Sequence, residues 1–218
     1  MGGAIPKQYL DLNGVPVLVR ALQAFQRHPF ISAIVLTVPP GDEEYCRTRM
    51  VAPHDIDKVI HVVGGGSTRQ ESVYNGLIVL EEMEIVAIHD AARPLVSAKT
   101  ISATIEAARS SGAALACVPV RETVKRKSGA FLETVSRADL WLAHTPQTFR
   151  TELILEAHRL ARESGFDGTD DSALVERLGH PVTIVPDSEN NLKITTPEDL
   201  NRAGMLLRHM GVGAPDTT

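Results

Sequence analysis

Four short apolar runs, each separated from the next by a stretch with helical character, constrain this chain more than any other feature. They are Ala33–Val38, Val59–Val63, Ile85–Ile88 and Ala113–Val120. Pro39, Gly64 and Pro94 follow the first three closely, so these runs read as strands with definite stops. Their residues are apolar on both faces instead of alternating, which is the pattern of strands buried between two helix layers. The expected fold is therefore α/β with a mostly parallel sheet assembled from βαβ units.

The intervening segments carry helix signals. Val17, Leu18, Ala21, Leu22 and Phe25 recur with helical spacing behind Pro16, and a short polar helix is expected from Asp42 to about Met50. Ser67 with Gln70 has the capping-box pattern ahead of Val73, Leu77 and Leu80. Ser97 opens a helix through Ile101 and Ile105 that Gly112 closes. Leu153, Ile154, Ala157 and Leu160 trace another, Ser172 to Leu178 a shorter one, and Thr196-Pro197-Glu198-Asp199 starts the last. Val182–Val185 and Leu192–Ile194 read as two further strands. The rhythm breaks at Arg121, where Glu122–Arg126 and Ala130–Val135 flank Gly129 as a β-hairpin. Two strands alone are marginal, so this arm is expected to contact a second subunit. One domain over residues 1–210, with the arm inserted at about 121–145 and a disordered tail at 211–218, is the expected organisation.

Composition restricts the functional classes. A formal net charge of -5 argues against a nucleic-acid binder with a general basic surface, while leaving room for a local basic pocket. No apolar run is long enough to span a membrane, and the two cysteines, Cys46 and Cys117, match no metal spacing. A cytoplasmic protein with free buried thiols is expected.

Chemistry concentrates where Ile85–Ile88 ends, in His89-Asp90-Ala91-Ala92-Arg93-Pro94. Open α/β sheets bind ligands beyond the carboxyl ends of their strands. Asp90 is a hard oxygen donor suited to Mg²⁺, and Arg93 offers a planar fork suited to phosphate, although a local ion pair would explain both equally well. The Gly64-Gly65-Gly66 break before a helix could cradle an anion or be a plain turn. Lys7 reads by itself as a surface lysine, Lys193 as an exposed edge residue, and Thr169 with Asp170 as a helix cap or a site.

Taken in order, these stretches form a set. Pro6-Lys7-Gln8-Tyr9-Leu10, Gly65-Gly66 with Arg69 and Ser72, His89 to Pro94, Pro119 to Thr123, Thr145-Pro146-Gln147, Thr169-Asp170, Asn191 with Lys193, and Thr196 to Leu200 together resemble the 2-C-methyl-D-erythritol 4-phosphate cytidylyltransferase family, from Pro6 to about Leu200. The resemblance implies a Rossmann-like, doubly wound nucleotidyltransferase, dimeric through the hairpin arm, that joins CTP to a polyol phosphate with Mg²⁺ and releases pyrophosphate. It implies catalytic roles for Lys7 and Lys193. It implies nucleotide contacts for Gly65, Gly66, Ser72, Asp90 and Ala91, and a metal-binding role for Asp90. Substrate contacts are implied for Asp90, Arg93, Thr123 and Thr169, with Arg137 and Thr145 lent across the dimer.

The family opens with an apolar strand and a glycine-rich triphosphate loop ending in Arg-Met, and this sequence begins at what resembles that final methionine. A start further upstream is expected on that ground. Ser67 also stands where some relatives carry an acid. The alternatives are a ribitol 5-phosphate cytidylyltransferase, whose members tend to carry Val in place of Ala92, and a non-catalytic relative lacking the triphosphate loop.

Overall fold

The computed structural model describes residues 6–80 and 82–210; the expected disordered tail at 211–218 lies outside them. A 3₁₀ turn at Lys7–Tyr9 leads into a two-stranded β1 (Asp11–Leu12) and β2 (Val15–Pro16), then helix α1 (Val17–Gln26). β3 (Ile34–Val38), α2 (Glu43–Cys46), β4 (Val59–Gly64), α3 (Arg69–Leu77), β5 (Ile85–Ile88), α4 (Ala98–Ser111) and β6 (Ala113–Pro119) follow. The hairpin is β7 (Val124–Ser128) and β8 (Phe131–Val135). β9 (Trp141–Arg150), α5 (Thr151–Glu163), α6 (Asp171–Arg177), β10 (Thr183–Pro186) and α7 (Pro197–His209) complete the described residues.

The expected mostly parallel sheet is corrected to a mixed one. β10, β6, β9 and β5 are neighbours in that order, with β10 parallel to β6 and β9 antiparallel to both β6 and β5. β3 and β4 pair in parallel as a separate two-stranded sheet. The cause is β9, a ten-residue strand that the sequence does not announce because Pro146 interrupts it. Proline lacks the ladder donor and is confined to edges and bulges. Here it sits where the β6–β9 register shifts between Leu115 and Cys117, so the irregularity absorbs the missing donor. Leu192–Ile194 forms no strand; its Ile194 N–H instead donates to the Ala92 carbonyl at 2.8 Å.

Apolar side chains close the layers around this frame. Phe149, Ile154, Ala157, Leu174, Val86 and Leu77 pack β5, β9, α3, α5 and α6 together. Leu18, Val19, Leu22, Leu36 and Val62 do the same for α1, β3 and β4. Helix ends largely obey their local signals: Ser97 accepts from the Thr100 amide, Gly112 closes α4 in the left-handed region at φ 90°, and Thr196 with Asp199 forms a complete capping box for α7. At α3 the cap is Thr68, which accepts from the Glu71 amide, and not Ser67. Ser67 instead bonds the Glu71 carboxylate through its own N–H and O–H.

Phe149 is fully buried on the strand that joins β5 to β6. Phe149→Ala is expected to cost about 3–5 kcal/mol, read as a lowered denaturation midpoint with an unchanged m-value. Loss of the Thr196 cap in Thr196→Ala is expected to cost only about 1 kcal/mol in the same measurement.

Candidate functional site

β5 delivers Asp90 to the carboxyl edge of the four-stranded sheet, and the turn that follows is locked from below. His89 stacks near Phe25, with ring centroids 4.9 Å apart. Its Nε2 lies 3.0 Å from the Arg93 carbonyl, which can only accept, so Nε2 carries the proton and Nδ1 accepts from the Thr145 hydroxyl at 2.9 Å. The same hydroxyl oxygen accepts from the Asp90 N–H at 3.0 Å. Thr145 comes from the irregular stretch of β9, where a bulge re-aims a side chain. It is 3 % exposed and supports the turn within its own chain. That differs from the expected loan across a dimer.

Cations surround the Asp90 carboxylate. Lys193 Nζ lies 2.8 Å from Oδ2, Arg69 Nε 3.5 Å from Oδ1 and Arg93 Nε 3.7 Å from Oδ2. Burial pushes the Asp90 pKa up, but Lys193 and Arg69 outweigh it and hold the group below the ordinary carboxylate range, hence ionised. Burial, helped by the Arg93 charge, outweighs the Arg93 carbonyl and Asp90 and drives His89 down to about 4, hence neutral.

Lys193 reaches the rim because its loop is pinned. Arg93 Nη1 donates to the Asn191 carbonyl at 2.6 Å, and Asn191 Nδ2 donates to Thr145 O at 2.8 Å and Asp187 Oδ2 at 2.7 Å. Leu192 and Ile194 point into the core on either side, leaving Lys193 exposed between them. Arg93 is itself 7 % exposed and is occupied with backbone carbonyls, so it acts here as scaffolding behind Asp90. Lys7 comes from its 3₁₀ turn, which Tyr9 anchors by donating to Asp42 at 2.8 Å.

A cavity of about 240 Å³ joins these parts: Lys7, Thr37, Asp90, Ala91, Ala92 and Lys193 line it. A larger cleft of about 330 Å³, mostly apolar between α1, β3, α3 and β5, opens on the same rim at Arg69, Ser72 and Asp90. Lys7, Lys193, Asp90 and Ala91 are thus brought together. Gly65 and Gly66 lie beside Ser72, where a side chain on Gly65 would meet Ser72 Oγ at 2.7 Å and one on Gly66 would collide with Glu71. Their amides already donate to Val38 O and Ser72 Oγ, so this turn is compact instead of an open cradle of free N–H groups.

Thr169 is exposed in the loop before α6, which Gln70 ties to the first turn of α3 through Gly168 N and Phe166 O. Thr123 and Arg137 are exposed at the base of the hairpin and do not line the cavity of Lys7, Asp90 and Lys193. Sequence reasoning left Arg69 and Asp171 out of the site. Arg69 Nη2 sits 2.7 Å from Asp171 Oδ2 while its Nε faces Asp90. The available signal was an arginine in the first turn after a glycine break.

Among the described residues no cluster of three or more His, Cys, Asp or Glu side chains could hold a metal by itself. One ionised carboxylate at the edge of an open cavity fits a cation that takes its remaining ligands from phosphates and water, as Mg²⁺ does. No helix among the described residues is long and apolar enough to cross a membrane.

Known proteins resemble this chain over most of its length. The model of the 2-C-methyl-D-erythritol 4-phosphate cytidylyltransferase family matches residues 1–209. A protein of that name from Pelotomaculum thermopropionicum is 47% identical over 211 residues, 95% of this chain and 89% of that protein. One from Syntrophus aciditrophicus is 46% identical over 95% of this chain and 90% of its own length. The crystal structure of the same-named enzyme from Thermus thermophilus superposes with a TM-score of 0.78 at 35% identity, covering 93% of this chain and 94% of that one. A 4-diphosphocytidyl-2C-methyl-D-erythritol synthase from Anaerococcus prevotii gives 0.84 at 30% identity, over 95% and 92% of the two chains.

The depressed His89 pKa has a consequence for stability. The unfolded chain, with histidine at its ordinary value of 6.5, takes up a proton that the folded chain refuses until about pH 4. Stability is therefore complete above pH 6.5 and lost as pH falls from 6.5 towards 4. Thermal melts across this window are expected to show a wild-type loss roughly 2–3 kcal/mol larger than that of His89→Gln.

Proposed function

The chain belongs to the 2-C-methyl-D-erythritol 4-phosphate cytidylyltransferase family, and from that premise we infer that the rim around Asp90 catalyses cytidylyl transfer. A phosphate oxygen of 2-C-methyl-D-erythritol 4-phosphate attacks the α-phosphorus of CTP. The new P–O bond forms as the bond to the β-phosphate breaks, giving the CDP-linked alcohol and pyrophosphate. The observation that carries this reading is the convergence of Lys7, Lys193 and Asp90 on one cavity from three distant parts of the chain. The attacking phosphate is already ionised at neutral pH and needs no general base, so positioning and positive charge carry the rate.

In this reading Lys7 and Lys193 neutralise charge on the transferring phosphorus, and Asp90 and Ala91 face the nucleotide phosphates. Gly65, Gly66 and Ser72 shape the nucleotide side of the cleft, and Thr169 borders the polyol phosphate. Mg²⁺, when bound, would neutralise phosphate charge as a Lewis acid, with Asp90 as its protein ligand. Because both Asp90 oxygens already face cations, Lys193 is expected to turn from Asp90 to phosphate when substrates arrive. Residues 6–210 then make up one catalytic domain. Its buried free thiols, Cys46 and Cys117, suit the cytoplasm.

The hairpin is read as a dimerisation arm. Phe131 and Leu132 are 79% and 71% exposed at its tip, an unusual placement for two large apolar side chains unless a partner covers them. Thr123 and Arg137 at its base are then offered to the partner's substrate. Phe131→Asp combined with Leu132→Asp is expected to convert a dimer to a monomer in sedimentation equilibrium; an unchanged dimer would remove the arm from the interface.

Pyrophosphate release with CTP, Mg²⁺ and 2-C-methyl-D-erythritol 4-phosphate tests the assignment. Preference for ribitol 5-phosphate in the same assay would reassign the substrate. Lys193→Ala is expected to lower kcat/KM by about 10²–10³ without lowering the melting temperature appreciably, as for other electrostatic contacts made at a transition state.

A further inference from the structure

Beside the rim lies a buried ionic group that the reaction described above does not use. Asp171 is the first residue of α6 and only 1% exposed; His158, on α5, is fully buried. A carboxylate so far from water persists only where charge and hydrogen bonds compensate it. Its backbone is fixed by Gln147, whose Oε1 accepts from the Asp171 and Ser172 amides at 3.0 and 2.9 Å. Its Oδ1 lies 3.4 Å from His158 Nε2, and its Oδ2 lies 2.7 Å from Arg69 Nη2. The Arg69 contact is off the hydrogen-bond axis and acts chiefly through charge.

Stabilising the start of α6 does not account for this carboxylate. Asp170 already caps that helix by accepting from the Ala173 amide at 2.9 Å, and Gln147 satisfies the two amides before it. What remains for Asp171 is the buried His158 ring at one oxygen and Arg69 at the other, and of these only Arg69 leads back to the rim. Its Nε faces Asp90 Oδ1 at 3.5 Å, the oxygen opposite the one that Lys193 addresses. The Arg69 side chain is 37% exposed, and a guanidinium that free would otherwise sample many rotamers. Burial works against its charge, yet Asp171 and Asp90 together hold its pKa above the ordinary value.

We propose that Asp171 is a positioning residue for cytidylyl transfer: from inside the core it holds Arg69 against Asp90, so that the rim carboxylate is fixed on one side by Arg69 and on the other by Lys193. When Lys193 turns towards phosphate, Arg69 keeps Asp90 oriented. The activity arm of this proposal rests on the function inferred above; its structural arm does not.

Three variants test it: Arg69→Met, Asp171→Asn and their double. Each single change is expected to lower kcat/KM about tenfold, and the double no further, because the two residues act as one unit. Arg69→Lys keeps the charge but loses the fork that spans two acids, and is expected to lose activity like Arg69→Met. Losses that multiply in the double, or wild-type kcat/KM in folded Asp171→Asn or in Arg69→Lys, would overturn the proposal. The structural arm uses the Arg69 Nε–H resonance, identified by its disappearance in Arg69→Met. It is expected to be sharp and slow to exchange in the wild type and broadened in Asp171→Asn while core amides persist. If the wild type releases no pyrophosphate, the inferred function fails, and this resonance alone decides: no change in Asp171→Asn overturns the proposal.

Discussion

The carboxylate of Asp90 stands at the end of β5 with cations around it, and much of the surrounding structure serves to keep it there. Such a group is expensive to desolvate and would move or take up a proton if its partners were loosely held. They are not loosely held. Arg93 is clamped by two backbone carbonyls, the Lys193 loop by Asn191, and the Asp90 amide by Thr145. Arg69 is drawn inwards by Asp171. Rigid elements thus carry the site, and preorganisation of this kind lets charge stabilise a transition state without reorganising first.

The arrangement also reconciles an acidic chain with anionic substrates. The formal net charge is -5, yet Arg69, Arg93 and Lys193 gather around two carboxylates, Asp90 and Asp171, and Lys7 lines the same cavity as Asp90 and Lys193. Local charge at a rim, not the sum over the surface, governs what a cavity holds. Asp90 prevents that cluster from being merely repulsive when empty and, in the proposed function, would give a divalent cation a ligand.

How much of this was legible in the sequence depended on how local each cause is. Ser97 with Gly112 and Thr196 with Asp199 mark helix ends through contacts a few residues apart, and those helices begin and end where their residues say. β9 was illegible because its pairing with β5 and β6 is long-range and Pro146 disguises it, and with it went the sheet's mixed character. At the site, Lys7, Asp90 and Lys193 could be named from motif order. The loop-locking role of Thr145 and the inward turn of Arg69 could not, since each depends on a partner at least 55 residues away in the chain. Asp171 looked like one more loop acid beside Asp170. Only burial separates the two, one capping a helix and the other facing a guanidinium.

In the proposed reaction two phosphorylated reactants meet in the cavity between Lys7, Asp90 and Lys193. A crystal structure with Mg²⁺, a non-hydrolysable CTP analogue and 2-C-methyl-D-erythritol 4-phosphate tests that most directly. The expected density places the α-phosphorus and the attacking phosphate oxygen within that cavity, with the Lys193 ammonium moved from Asp90 Oδ2 onto phosphate. Ligands bound with their phosphates on another face, and Lys193 still paired to Asp90, would contradict it.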